Sequence, residues 1–239
     1  MRDGCLMGEH VNECLGLPQG QARVLTHSSG FGFISTMIEI YFVRHGQTEW
    51  NAIRRWQGQM NSDLSPLGRE QARANGEFLA GAAIEALYVS PLTRTRQTAE
   101  IINEHLSLEP RFDERIMEWD CGDWSGLHYE DVKATPEWDE LQANRFHYRG
   151  PNCENYPDMI ARARPFLDEL LAGRERTIAV VSHGMIGRLM VSQLLGHGEA
   201  EHFGCRQPNE LVYRVSVSGP VREVSHFVSG DGPHPGLLA

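Results

Sequence analysis

The chain has 239 residues, 41% hydrophobic and 23% charged, which gives enough apolar material for a buried core and excludes disorder throughout. Its formal net charge of -10, from 22 Lys and Arg against 32 Asp and Glu, argues against nucleic acid or an anionic membrane as partner. A small anion held by a few converging arginines stays compatible with that balance.

Cys5, Cys14, Cys121, Cys153 and Cys205 form no CxxC pair and no zinc-like spacing, so reduced thiols and a cytoplasmic setting are expected. No apolar run approaches the roughly 20 residues that span a bilayer. Asp3, Glu9 and Glu13 interrupt any signal-peptide core.

Residues 1–36 show neither a two-residue nor a 3.6-residue apolar period, and a loosely ordered extension is expected there. The run Ile38-Glu39-Ile40-Tyr41-Phe42-Val43 predicts a first strand and the start of a domain over 37–229. Ser65 as N-cap with Pro66 behind it opens a helix to about Leu79, with Leu67, Ala74 and Phe78 on one face. A strand over 84–89 follows, then a helix from Pro91 carrying Arg94, Thr98, Ile101 and Ile102.

The spacing of Met159, Ile160, Ala163, Phe166, Leu167 and Leu170 predicts a helix over 156–171. Residues 177–181 form a short apolar strand, and 185–195 the helix after it. Two alternating strands, 211–217 and 221–228, join through a Ser-Gly-Pro turn. The Gly- and Pro-rich segment 230–239 is expected to be a flexible tail. Strands separated by helices imply βαβ units, hence an α/β three-layer sandwich with a mostly parallel central sheet flanked by helices. Ligands of such sheets lie beyond the carboxyl ends of the strands.

Two tripeptides fall at such ends: Arg44-His45-Gly46 after the first strand and Ser182-His183-Gly184 after the 177–181 strand. A strand-end histidine alone is more often a hydrogen-bonded structural residue. The neighbours change the reading. Arg44, Arg94 and Asn51 add guanidinium and amide donors, and guanidinium groups match phosphate oxygens bidentately. Two Arg, two His and an amide make a pocket for a dianion.

The string Arg44-His45-Gly46-Gln47-Thr48-Glu49-Trp50-Asn51 resembles the signature of the histidine phosphatase (phosphoglycerate mutase-like) superfamily. The resemblance continues in order through Ser62-Asp63-Leu64-Ser65-Pro66-Leu67-Gly68, Ser90-Pro91-Leu92-Thr93-Arg94, Glu118-Trp119-Asp120-Cys121-Gly122 and Ser182-His183-Gly184. It implies that His45 attacks phosphorus and becomes phosphohistidine. Arg44, Arg94 and His183 would hold the equatorial oxygens, with Asn51 adding a donor. Glu118 would protonate the leaving oxygen, with Asp123 as the next candidate. Arg94 rather than Arg96 is expected to face the pocket, and Gln57 to line its substrate side.

No metal motif or cofactor is implied. His105, His128, His147, His197, His202 and His226 show no ligand spacing, with His128 and His147 the two candidates to reach the pocket mouth. The expected activity is hydrolysis of a small-molecule phosphate ester by a monomer or homodimer. The alternatives are phosphoglycerate mutase-type transfer and a non-catalytic phosphate-binding protein on the same fold. The span from Ser125 to Tyr156 is short and rich in acidic residues, which favours hydrolysis over a mutase with a closing basic lid.

Overall fold

Ile38, Ile40 and Phe42 of β1 (Ile38–Arg44) pack on one side of a sheet, and Tyr41 and Val43 on the other. Both faces of β1 are therefore buried, as a central strand requires. This is a computed structural model, and it describes residues 37–238; the predicted extension over 1–36 lies outside the described residues.

The elements after β1 are α1 (Glu49–Ala52), α2 (Pro66–Ala80), β2 (Ala86–Val89), α3 (Thr93–Leu106) and β3 (Pro110–Phe112). Next come α4 (Tyr129–Lys133), α5 (Pro136–Ala143), α6 (Tyr156–Ala172), β4 (Thr177–Ser182) and α7 (Gly184–Leu195). Three strands end the chain: β5 (Leu211–Ser218), β6 (Val221–Val228) and β7 (Asp231–Pro235). Core residues of α6 and α7 cover one face of the sheet, and those of α2 and α3 cover the other. No helix among the described residues is long and apolar enough to cross a membrane.

The sheet order is β3-β2-β4-β1-β5-β6-β7. Three pairings, β3–β2, β2–β4 and β4–β1, are parallel. The other three, β1–β5, β5–β6 and β6–β7, are antiparallel. The sheet is therefore mixed, which corrects the mostly parallel expectation. Connection length and chain path are the causes. Only a crossover of a dozen or more residues can return a strand parallel, and the two-residue turns joining β5, β6 and β7 force those pairings antiparallel. β5 itself opposes β1 because the segment after α7 runs back to the carboxyl end of β1 before the strand begins. There Gln207 and Asn209 bond Phe42 O and His45 O.

Two further expectations are corrected. The flexible tail expected over 230–239 is, over its described residues, ordered: β7 pairs with β6, and Leu237 and Leu238 pack on the core. Its prolines are tolerated because β7 is an exposed edge strand. Leu67 does not lie on the buried face of α2; it is exposed, and the stripe is Gly68, Ala72, Asn75, Gly76 and Leu79. The Ser65 cap is present, its side chain accepting from Gly68 N with Pro66 behind it.

Candidate active site

Three neighbouring parallel strands, β2, β4 and β1, run out at one edge of the sheet, and Ser90, His183 and His45 follow them. The ladder continues one step beyond the strands. Ser90 N donates to Val181 O, and His45 N to Ser182 O, each at 3.0 Å. Adjacent strand ends thus bring the two histidines face to edge, with ring centroids 5.3 Å apart. His45 is 3% exposed and His183 1%.

The glycines after these histidines serve close approach rather than a positive φ. A Cβ on Gly46 would sit 2.1 Å from the carbonyl oxygen of Gly68, at the start of α2. On Gly184 it would stand 3.2 Å from Arg44 Cζ, inside the space the guanidinium uses. Each glycine lets another part of the pocket come near.

Hydrogen bonds fix the histidine tautomers. An arginine Nε–H can only donate, and Arg94 Nε lies 3.3 Å from His45 Nε2 and 3.1 Å from His183 Nδ1. Both ring nitrogens are therefore acceptors. The proton of His45 sits on Nδ1 and is donated to Gly46 O at 2.7 Å, while His183 Nε2 donates to Ser90 Oγ at 2.7 Å. Burial first, then the charges of Arg94 and Arg44, hold His45 well below the ordinary 6.5. Burial and Arg94 do the same for His183, with His45 next.

Arg94 is the hub. It is 1% exposed, and its Nη1 and Nη2 donate to Met60 O at 2.8 Å and Gly58 O at 2.7 Å. Burial lowers it to about 10, so it stays charged at neutral pH, helped by Glu118. Arg96 points away, donating to Pro91 O and lying over the Phe112 ring. Arg44 donates from Nη1 to Gln207 O at 2.7 Å.

Glu118 arrives from the loop after β3 and meets the start of α7. Its Oε1 accepts from Trp119 N at 2.9 Å and Ile186 N at 3.1 Å, and its Oε2 from Met185 N at 3.1 Å. A carboxylate has about four acceptor positions, so roughly one is left for a ligand. The loop is clamped from behind. Arg162 donates to Arg115 O and Met117 O, each at 2.8 Å, and to Glu118 O at 3.3 Å. Ser182 Oγ donates to Ile116 O at 2.8 Å.

Arg44, His45, Asn51, Gln57, Arg94 and Glu118 all line one cavity of about 760 Å³. His183 lies directly behind, through Arg94 and the His45 ring. Asn51 Oδ1 accepts from Thr48 N in the capping box of α1, which leaves Nδ2 as the donor of that amide. Gln57 is buried, and its Oε1 has no hydrogen-bond partner among the described residues. Asp123, the other acid considered, is exposed and accepts from Asn152 Nδ2 outside the cavity. His128 stands beside Arg55 at 3.3 Å, and His147 pairs with Glu199; neither lines the cavity.

Asn209 and Gln207 carry no signal in the sequence alone, and Ser90 opens one of its motifs with no role of its own apparent there. Asn209 Nδ2 donates to His45 O at 2.7 Å, holding the backbone of the loop that carries the imidazole. Gln207 Nε2 donates to Phe42 O, and Ser90 receives the His183 proton. Asn209 and Gln207 precede β5, whose antiparallel pairing with β1 brings its start to the same sheet edge. That signal exists only once the mixed topology is known. Cys121, Cys153 and Cys205 are buried and unpaired.

A model of the histidine phosphatase superfamily, branch 1, matches residues 40–228. The chain is 35% identical over 177 residues to phosphoserine phosphatase 1 of Hydrogenobacter thermophilus, covering 71% of this chain and 82% of that protein. It is 36% identical over 163 residues to a probable phosphoglycerate mutase of Erwinia tasmaniensis, covering 67% and 76% respectively. Among solved structures it is similar to a mycobacterial glucosyl-3-phosphoglycerate phosphatase in complex with VO3. The TM-score is 0.71 and the identity 30%, covering 80% of this chain and 98% of that one.

Proposed function

The chain belongs to the histidine phosphatase superfamily, and from that membership we propose a phosphomonoester hydrolase that works through a phosphohistidine on His45. The observation that carries this reading is the tautomer of His45. Its Nδ1–H is spent on Gly46 O, so Nε2 keeps a lone pair toward Arg94, on the cavity side. Burial, then the charges of Arg94 and Arg44, hold the ring neutral, as a nucleophile must be.

Arg94 and Arg44 bind the phosphoryl oxygens and offset the charge that the transition state spreads over them. Asn51 Nδ2 and Gln57 contact the ester from the side of α1. The His45 Nε2 lone pair forms the N–P bond as the P–O bond breaks. Glu118 gives its proton to the leaving oxygen. In the second half Glu118 takes a proton from water, the new hydroxide attacks phosphorus, and the N–P electron pair returns to Nε2. His183 Nδ1 is an acceptor beside Arg94. Burial first and then protein charge hold this ring neutral; a bound dianion opposes that charge and so draws a proton onto Nδ1 for donation to phosphate.

Hydrolysis is favoured over mutase-type transfer because the span between the acid loop and α6 contains only the short helices α4 and α5. Small phosphorylated metabolites are the substrate class that the relatives' names support.

The experiment is hydrolysis of p-nitrophenyl phosphate in excess EDTA, followed across pH. Turnover without added metal is expected, because Arg44 and Arg94 supply the cationic charge. Activity lost on chelation and restored by a divalent ion would contradict the scheme. The depressed His45 value sets the acid limb. An imidazole titrating at 6.5 loses about three quarters of its neutral form by about pH 6. His45 should keep most of its own, so kcat/KM stays level from about pH 8 down to about pH 6. A fall centred near 6.5 would show that His45 titrates like an exposed histidine. Stability follows the same sign. The unfolded chain takes up protons that the buried pair refuses, so stability present above pH 6.5 is lost as pH falls toward the folded values.

A further inference from the structure

Glu154 stands just before Asn155, the N-cap of α6, which exchanges backbone and side-chain hydrogen bonds with Asp158 in a capping box. Arg162 lies in the second turn of the same helix. Their side chains meet in a fork, Arg162 Nε to Glu154 Oε1 at 2.9 Å and Nη2 to Oε2 at 2.8 Å. The two side chains are 18% and 20% exposed, and an ion pair with that much solvent contact adds little to stability by itself. What else it binds shows what it holds.

A guanidinium has five N–H groups, and Arg162 uses all five. Beyond the fork, Nη1 donates to Arg115 O and Met117 O, each at 2.8 Å, and Nη2 to Glu118 O at 3.3 Å. Glu154 takes the next stretch of the loop. Its Oε2 accepts from Asp120 N at 3.0 Å and its carbonyl from Trp119 Nε1 at 2.6 Å, while its own N–H donates to Asp120 O at 2.8 Å. With Ser182 Oγ of β4 on Ile116 O, every residue from Arg115 to Asp120 is tied to a regular element or its cap.

Glu118 sits in the middle of that run, with its carboxylate on Met185 N and Ile186 N in the first turn of α7. The first N–H groups of a helix have no partner inside it, so these two amides report where the carboxylate stands. A general acid must come within about 2.6–3.2 Å of the oxygen it protonates, and a misplacement of about 1 Å costs roughly a hundredfold.

We propose that the Arg162–Glu154 pair positions the Glu118 acid, fixing the backbone of residues 115–120 so that the carboxylate meets the leaving oxygen. Neither residue lines the catalytic cavity, so both act through Glu118. This rests on the phosphatase reading and adds to it two residues that never touch the substrate.

The test compares two esters on the full chain: glycerol 2-phosphate, which leaves as an alkoxide, and p-nitrophenyl phosphate, which leaves as a phenolate. Arg162→Lys keeps the charge, but an ammonium group cannot reproduce the fork. Its kcat/KM should fall about ten- to a hundredfold on glycerol 2-phosphate and far less on p-nitrophenyl phosphate. In a Glu118→Gln background the same substitution should cost nothing further on glycerol 2-phosphate, because residues that act through one another are not additive. Hydrogen exchange supplies a readout without substrate. The Met185 and Ile186 amides should exchange about tenfold faster or more in Arg162→Lys, with the later amides of α7 unchanged. Glu154→Gln should give the same pattern, and it carries the test if Arg162→Lys fails to fold. Equal losses on the two esters, no loss, a further loss in the Glu118→Gln background, or unchanged exchange at Met185 and Ile186 would overturn the proposal. Wild-type protein that hydrolyses neither ester, with the exchange result intact, would strike the phosphatase reading alone.

Discussion

Replacing His45 with alanine should abolish turnover, lowering kcat by roughly 10⁴-fold or more, while the protein stays folded. The scheme gives phosphorus no other acceptor, and loss of a nucleophile removes the covalent route rather than weakening it. The fold should tolerate the change because the ring is held by one local bond, to its neighbour's carbonyl, and by contact with Arg94. Losing a single buried hydrogen bond costs about 1 kcal/mol, which for a domain of this size moves Tm by about 2–4 °C. The measurements are kcat on p-nitrophenyl phosphate and a thermal unfolding curve. Near-normal kcat in the folded variant would remove His45 from the nucleophile's role.

The second large effect is expected at Glu118, and it should depend on the substrate. Glu118→Gln keeps the shape and accepts backbone N–H bonds at one oxygen, but it has no proton to give. An alkyl phosphate leaves as an alkoxide and needs that proton, so kcat/KM should fall by the usual acid–base factor of roughly 10²–10⁴. An aryl phosphate leaves as a stabilised phenolate and should lose far less. The comparison belongs on kcat/KM, which reports steps up to formation of the phosphoenzyme. Equal losses on both substrate types would show that Glu118 acts through structure instead. That outcome is a real contest, because the carboxylate also joins the acid loop to the first turn of α7 through Met185 N and Ile186 N.

The strands and long helices were legible because their causes are local. Apolar alternation marks β5 and β6, a Ser-Pro cap marks α2, and a helical stripe of apolar residues marks α6. What failed was long-range. The direction of β5 relative to β1 is set by chain connectivity, and a Gly/Pro-rich segment reads as loose until its partner strand is in view. The site divides in the same way. His45, Arg44, Arg94, Glu118 and His183 occupy a spaced pattern of motifs, and the structure brings them to one sheet edge. Asn209, Ser90 and Gln207 act on backbone or on other side chains across 93 to 165 residues of sequence. No local pattern encodes such a contact. Gly46 shows the limit from the other side. Its need for a missing Cβ is plain, yet the reason is the carbonyl of Gly68 rather than a turn.

The central claim is a covalent bond between phosphorus and one nitrogen of His45, and the direct measurement is to trap it. Full-length protein is mixed with excess substrate and quenched in alkali, since phosphohistidine survives base and is lost in acid. Peptide mass spectrometry then locates the phosphate, and phosphorus NMR on the denatured phosphoprotein distinguishes the two ring nitrogens. Phosphate on His45 is expected, on Nε2 because Nδ1 is engaged with Gly46 O, and it should be absent from the His45→Ala protein. Turnover with no labelled His45, or with the phosphate on another residue, would contradict the account.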